Sequence, residues 1–166
     1  MLGKARFGGK KAGPNPTDRG KPGTKKSVLV EADGGPLGVV IAGANIPDFQ
    51  LLDETIRAVV VDRPDPEEVE QNLCLDAGFD NAPTREVVEV HGYVGHTRPA
   101  RPGPRPKRRP GRRKARRGVV ERTLAWLSKC RALLVRYDKH DENFLGLIQM
   151  ACGLLWYRRL HRLKAA

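Results

Sequence analysis

Aromatic side chains make up only 5% of this 166-residue chain, and hydrophobic residues reach 39% against 30% charged. That supply can build one ordinary domain core but cannot extend it over the whole length. No run of 18 or more apolar residues occurs, no apolar leader follows Met1, and no lipidation motif closes the sequence at Ala166. Membrane insertion and secretion are therefore not expected, and the reading is a cytoplasmic protein. Cys74, Cys130 and Cys152 form no C-x-x-C pair, which argues against zinc and disulfides and predicts buried, reduced thiols. His91, His96, His140 and His161 lack metal-ligand spacing, and no Walker sequence is present, so nucleotide hydrolysis is not indicated.

Cationic charge is abundant and unevenly placed. The formal net charge is +12; residues 1–26 hold eight basic residues and one acid, Asp18, while residues 98–117 hold eleven basic residues and no acid. These segments contribute +7 and +11, which leaves the rest of the chain at −6. Two basic segments on an acidic body point to a polyanionic partner such as nucleic acid, with an anionic membrane surface as the alternative. The acidic body leaves room for carboxylates kept for metal binding.

The chain reads as a succession of short elements. Residues 8–26 are rich in Gly, Pro and cations and predict a loop with backbone N–H groups free to meet phosphate. Ser27–Glu31 and Leu37–Ala42 are β-branched runs joined through Asp33-Gly34-Gly35-Pro36, which predicts a hairpin. Asn45 or Asp48 would cap an amphipathic helix bearing Leu51, Leu52, Thr55, Ile56 and Val59, ended by Pro64. A strand at Asn72–Leu75, a helix with Pro83 at its first position, and a strand at Tyr93–Thr97 follow. Residues 98–117, with five prolines, cannot build a core and predict a linker. Two long helices are expected beyond it, one striped by Val120, Leu124, Leu127 and Leu134, the other by Phe144, Leu147, Ile148, Ala151, Leu154 and Leu155. The expected organisation is a basic loop (1–26), an α/β part (27–97), a basic linker (98–117) and C-terminal helices (118–166), in an α/β fold with helices on the faces of a sheet. Trp126 and Trp156 lie among apolar neighbours on those helices, and core packing is favoured over base stacking.

Two carboxylates stand out. Asp76 ends a buried strand and precedes Ala-Gly, where ligands bind in α/β sheets; the same position suits an Asp that merely caps the next turn. Glu121 borders the apolar stripe of its helix, with Arg117, Ala125 and Ser128 along its own face; its plain alternative is an exposed Glu paired with Arg117. Carboxylates from distant segments beside a cationic run suggest metal-dependent phosphodiester chemistry, in which two Mg ions about 4 Å apart activate one oxygen and stabilise the other. Arg19, Lys21 and Lys25 in the loop, Lys107, Arg108, Arg109, Arg112, Arg113 and Arg117 in the linker, and Arg122 beyond it are the candidate DNA contacts.

Three segments carry a resemblance. Gly13-Pro14-Asn15-Pro16-Thr17-Asp18-Arg19-Gly20-Lys21-Pro22-Gly23-Thr24-Lys25, Leu75-Asp76-Ala77-Gly78-Phe79-Asp80-Asn81 and Val119-Val120-Glu121-Arg122-Thr123-Leu124-Ala125-Trp126-Leu127 resemble, in order, the catalytic domain of bacterial insertion-sequence DDE transposases, in particular the insertion sequence five group. The resemblance implies a ribonuclease-H-like mixed sheet with flanking helices. It also implies an Asp-Asp-Glu triad holding two Mg ions, with Mn as a substitute, and cleavage and joining of DNA at element ends. Asp76 would be the second carboxylate and Glu121 the third, both catalytic and metal-binding, with Arg117 at the position of the family's Arg.

Departures from the pattern set further expectations. The family's first Asp sits on a strand just upstream of the Gly-Pro-Asn-Pro loop, and Met1–Arg6 holds no acid. Asp18 is part of the loop motif in its own right and does not replace it. Lys114 and Ser128 stand where the family has Tyr and Lys. These departures predict a first strand missing or truncated and a carboxyl-terminal part of such an enzyme, a remnant or the downstream half of a split frame, with little activity alone. An upstream reading-frame product or a second copy would then be a partner beside DNA. The missing Asp leaves open whether this polypeptide is itself an enzyme, and the rival reading is a non-catalytic, repressor-like DNA-binding protein.

Overall fold

The computed structural model describes residues 1–97 and 118–164; the cationic run expected as a linker lies outside the described residues. In chain order the elements are β1 (Leu2–Ala5), β2 (Gly13–Pro14), β3 (Pro22–Val30), β4 (Pro36–Gly43), α1 (Leu52–Arg57), β5 (Asn72–Leu75), α2 (Ala82–Val90), β6 (Val94–Thr97), α3 (Gly118–Leu127), α4 (Arg131–Leu134), β7 (Val135–Arg136) and α5 (Asp141–Lys164). They divide into two units, residues 1–62 with 119–166, and residues 63–118.

The first unit is built on the expected hairpin. β3 and β4 pair antiparallel with Ser27 opposite Val40 and Val28 opposite Val39. β3 starts at Pro22, so five residues read as loop are strand, because Lys25 and Lys26 find partners that let a cationic stretch be buried. The connection is held by Glu31, whose carboxylate accepts the N–H groups of Asp33 at 2.7 Å and Gly35 at 2.6 Å. A Cβ on Gly35 would run into the Trp156 ring, so the residue type follows from close packing at this turn.

β1 pairs antiparallel with β3 on one side and parallel with β7 on the other; of the two outcomes expected for the first strand, missing or truncated, this short interior strand of four residues fits the second. Periodicity could not show it, since Leu2-Gly3-Lys4-Ala5 carries no apolar alternation and is recruited by its neighbours.

Alternation along β4 then sends Val39 and Ile41 to one face and Val40 and Ala42 to the other. Val39 and Ile41 pack with Leu127, Leu133, Phe144, Ile148, Ala151 and Cys152 from the C-terminal helices. Val40 and Ala42 pack with Leu51, just before α1. Neither Asn45 nor Asp48 caps that helix; Pro47 precedes a 3-10 turn at Asp48–Leu51 that runs straight into α1. The first of the two expected long helices is broken as well. α3 stops at Leu127, a short α4 follows, and Leu134 is 43% exposed instead of continuing the stripe. α5 forms over 24 residues; of its expected stripe Phe144, Ile148 and Ala151 are buried, while Leu147 and Leu154 are exposed.

The second unit is a β-α-β arrangement in which β5 and β6 pair in parallel and α2 connects them. Asn81 caps α2 by accepting the Thr84 N–H at 2.9 Å, which places Pro83 at the second helical position. Leu73 is buried and Cys74 exposed along β5, so the expectation of a buried thiol fails there; Cys74 alternates outward. Cys130 and Cys152 follow the expectation more closely, half-buried and buried.

Candidate functional site

Asp76 lies where β5 ends. Its backbone is extended, and its Oδ1 accepts the Ala77 N–H at 2.8 Å, capping the 3-10 turn Ala77–Phe79. The residue is exposed, and the segment after it is braced by the 2.7 Å ion pair between Arg85 and Asp80. The capping role therefore exists in fact. One cap occupies one lone pair of a carboxylate that offers several, so capping and metal ligation are compatible. Next to it, a cavity of about 370 Å³ is lined by Leu75, Thr84, Arg85, Glu89, Tyr93 and Thr97.

Glu121 occupies the first turn of α3, where an acid complements the helix dipole. It is exposed, while Thr123 and Leu127 are the residues α3 buries, so the side chain turns further from the core than the expected border position. Asp76 belongs to the second unit and Glu121 to the first. Among the described residues, no three Asp, Glu, His or Cys side chains come together as a metal site. The donor chemistry itself, carboxylate oxygen from Asp and Glu, is that of hard cations such as Mg and Mn.

The cations of the Gly/Pro loop divide into two kinds. Arg19 and Lys21 are exposed, on a loop held from within by Asn15. The Asn15 carbonyl accepts from the Asp18 and Gly20 N–H groups, and its Oδ1 accepts from the Thr17 N–H and hydroxyl. With Asn15 N–H donating to Lys21 and Lys21 N–H to Asp18, the backbone donors between 15 and 21 are largely used internally. Between residues 15 and 21 the expectation of N–H groups free for phosphate is thus corrected, and the side-chain cations Arg19 and Lys21 remain. Lys25 is different: it is 8% exposed, its ammonium donates to the Ile46 carbonyl at 2.7 Å and sits 3.2 Å from Asp48, so it serves the fold. Arg122 donates to the Asp33 carbonyl at 2.6 Å and so ties α3 to the β3–β4 turn while staying exposed. Lys107, Arg108, Arg109, Arg112, Arg113 and Arg117 lie outside the described residues.

Sequence reasoning missed two buried cations. Arg136, 1% exposed, donates to the carbonyls of Asp138, Lys10 and Lys139 and to the Thr24 hydroxyl, and so fastens the loop after β1 to the connection between β7 and α5. Lys26 donates to the Leu133 carbonyl at 2.5 Å with its ammonium 5.5 Å from the centre of the Phe144 ring. Nothing in a charged residue's local sequence signals such burial. Asp18 is also placed beyond what the loop motif suggested, 3.8 Å from the Lys4 ammonium on β1.

The described residues thus give an α/β chain with an Asp after a parallel strand, an early Glu on a later helix and a basic loop, and comparison gives its family. Residues 3–156 match the family model described as Transposase DDE domain, and the chain belongs to that family. It is similar, at 31% identity over 165 residues, to a Burkholderia cepacia protein named as a transposase for insertion sequence element IS402, with 98% of this chain and 76% of that protein covered. No solved structure matches. The family works with divalent metal ions. No helix among the described residues is long and apolar enough to cross a membrane.

Proposed function

We propose that this chain is a cytoplasmic DNA-binding component of insertion-sequence transposition, with a ribonuclease-H-like catalytic fold in which Asp76 and Glu121 are two of three metal-holding carboxylates. The observation that carries the reading is the position of Asp76, exposed directly after β5 in a chain whose residues 3–156 match the transposase domain. Mg, when bound, supplies activation of an attacking oxygen and stabilisation of the departing one. Asp76 and Glu121 provide oxygen ligands, and the Ala77 N–H orients the Asp76 carboxylate. Arg19, Lys21, Arg122 and the cations of residues 98–117 hold phosphates, largely without regard to base sequence.

Residues 1–17 contain no acid and β1 carries Lys4, so no carboxylate stands at the place that the resemblance gives to the family's first Asp. The chain's expected state is strong DNA binding with little strand cleavage of its own. That observation also favours the second reading, occupation of DNA without cutting. Fluorescence anisotropy with duplex DNA over a salt series, combined with a cleavage assay in Mg, tests both. The expected result is a steep salt slope, shallower by about 0.9 for each phosphate-contacting cation removed at Arg19 or Lys21, with negligible cleavage; salt-insensitive binding or robust Mg-dependent strand transfer contradicts it.

A further inference from the structure

α2 carries a buried hydroxyl with nothing to bond. Thr84 is 2% exposed, and among the described residues its Oγ1 is the one buried side-chain polar atom without a hydrogen-bond partner. The other buried threonines on helices return their hydroxyls to the carbonyl four residues back, Thr55 to Leu51 at 2.6 Å and Thr123 to Val119 at 3.3 Å. For Thr84 that carbonyl belongs to Asp80, which lies before the cap Asn81 and outside the helix, and the bond is not made. A hydroxyl buried in this way costs stability, and a valine of the same shape would avoid the cost. Such a group in a folded protein calls for an explanation, and a ligand that satisfies it is one.

Thr84 lines the cavity of about 370 Å³ beside α2, which has the size and the mixed lining of a small-molecule site. Leu75 from β5, Val88 from α2 and Gly95 from β6 make its apolar part; a Cβ on Gly95 would stand 3.1 Å from Val88 Cγ1, so glycine keeps that space open. Tyr93 adds an aromatic wall. Its position is fixed by the Arg63 guanidinium, 3.9 Å from the ring centre, and by its own N–H, which donates to the Val88 carbonyl at 3.0 Å. Apolar surface beside an aromatic ring suits a planar ligand. Among the described residues Arg85 is the one cation on the lining, and Asp80 already answers it at 2.7 Å, while Glu89 contributes an exposed carboxylate; a neutral ligand is therefore favoured over a phosphate. The Thr84 hydroxyl can donate to a ring nitrogen and accept from an amine, and the Glu89 carboxylate can accept from an amine. We propose that this cavity binds an amino-substituted nucleobase of the adenine type, with the Thr84 hydroxyl as its specific contact. The base is carried by a free nucleoside or by a single strand, and the site does not depend on metal at Asp76.

Amide-resolved NMR of the full chain in metal-free buffer, titrated with adenosine and with inosine, tests this independently of any role in transposition. The expected result is saturable shifts at the Thr84, Val88 and Gly95 amides with adenosine, and affinity about tenfold weaker for inosine, which has an oxygen in place of the amine. Thr84→Val should raise the Tm by about 2–4 °C, because the unpaired hydroxyl is gone, and weaken adenosine about tenfold. Thr84→Ser keeps the hydroxyl and should keep the adenosine affinity. Oligodeoxyadenylate at high salt, where contacts to cations elsewhere are screened, identifies the source: stronger shifts at the same three amides than adenosine gives mean a base on a strand, weaker ones a free nucleoside, and either supports the site. Absence of saturable adenosine shifts at these amides, equal affinity for inosine, or a Thr84→Val protein that gains stability without losing adenosine overturns the proposal.

Discussion

Lys26 and Arg136 set two cations against the Phe144 ring, and each is answered by backbone carbonyls. Burial pushes the Lys26 ammonium down to about 8 from the ordinary 10.5. Between those values the unfolded chain binds more protons than the folded one, so stability rises with pH as the buried charge is relieved. Urea unfolding of the wild type and Lys26→Met should therefore show the wild type gaining, relative to the variant, up to about 3 kcal/mol as pH is raised from about 8 to about 10.5; a pH-independent difference refutes this. Burial also lifts the Cys152 thiol to about 11, while Cys74 is exposed. A thiol reagent at neutral pH should label Cys74 first and Cys152 only on unfolding, as read by peptide mass mapping. Composition hides both facts: the exposure of Cys74 follows from the strand face it lands on, whereas Lys25 and Lys26, neighbours on β3, are both buried because each ammonium finds a carbonyl partner.

At the scale of elements, α5 and the β3–β4 hairpin carry the first unit. Ile148 is fully buried between them and the C-terminal helices, and Ile148→Ala should cost about 2–5 kcal/mol in denaturant unfolding. Glu31 joins the same elements. Its burial opposes ionisation, but the Asp33 and Gly35 N–H groups and the Arg159 guanidinium at 2.5 Å outweigh that and hold the carboxyl below its ordinary value. Its contribution is present above the unfolded carboxyl's range and disappears as pH falls through the folded value. Glu31→Gln should thus be destabilising at neutral pH and nearly neutral in acid, by thermal unfolding at both. The hairpin, β5 and α5 were legible because each holds an apolar pattern of strand or helix period. β1 and β7 were not, since four and two residues are too few for a pattern and form by pairing with each other and with β3. The break after Leu127 was equally silent, because Leu134 continues the helical spacing in sequence although the chain turns first.

For the whole molecule, the segregation of charge is read from sequence alone; among the described residues Arg19 and Lys21 are exposed, and their contact with DNA is part of the proposal. Lys25 escaped that reading because its role depends on Asp48 and Ile46, over twenty residues away. Asp76 and Glu121 were legible from their motifs, whereas their exposure and the capping bond at Ala77 required coordinates. The central claim is that these two carboxylates serve a common divalent-metal function within a chain that grips DNA through separate cations. It is tested most directly by electron paramagnetic resonance titration of Mn with the full chain, its Asp76→Asn and Glu121→Gln variants, and duplex DNA present. The account predicts Mn affinity falling about tenfold or more in each variant, with DNA binding in metal-free buffer unchanged. Equal Mn affinity in all three proteins would contradict it.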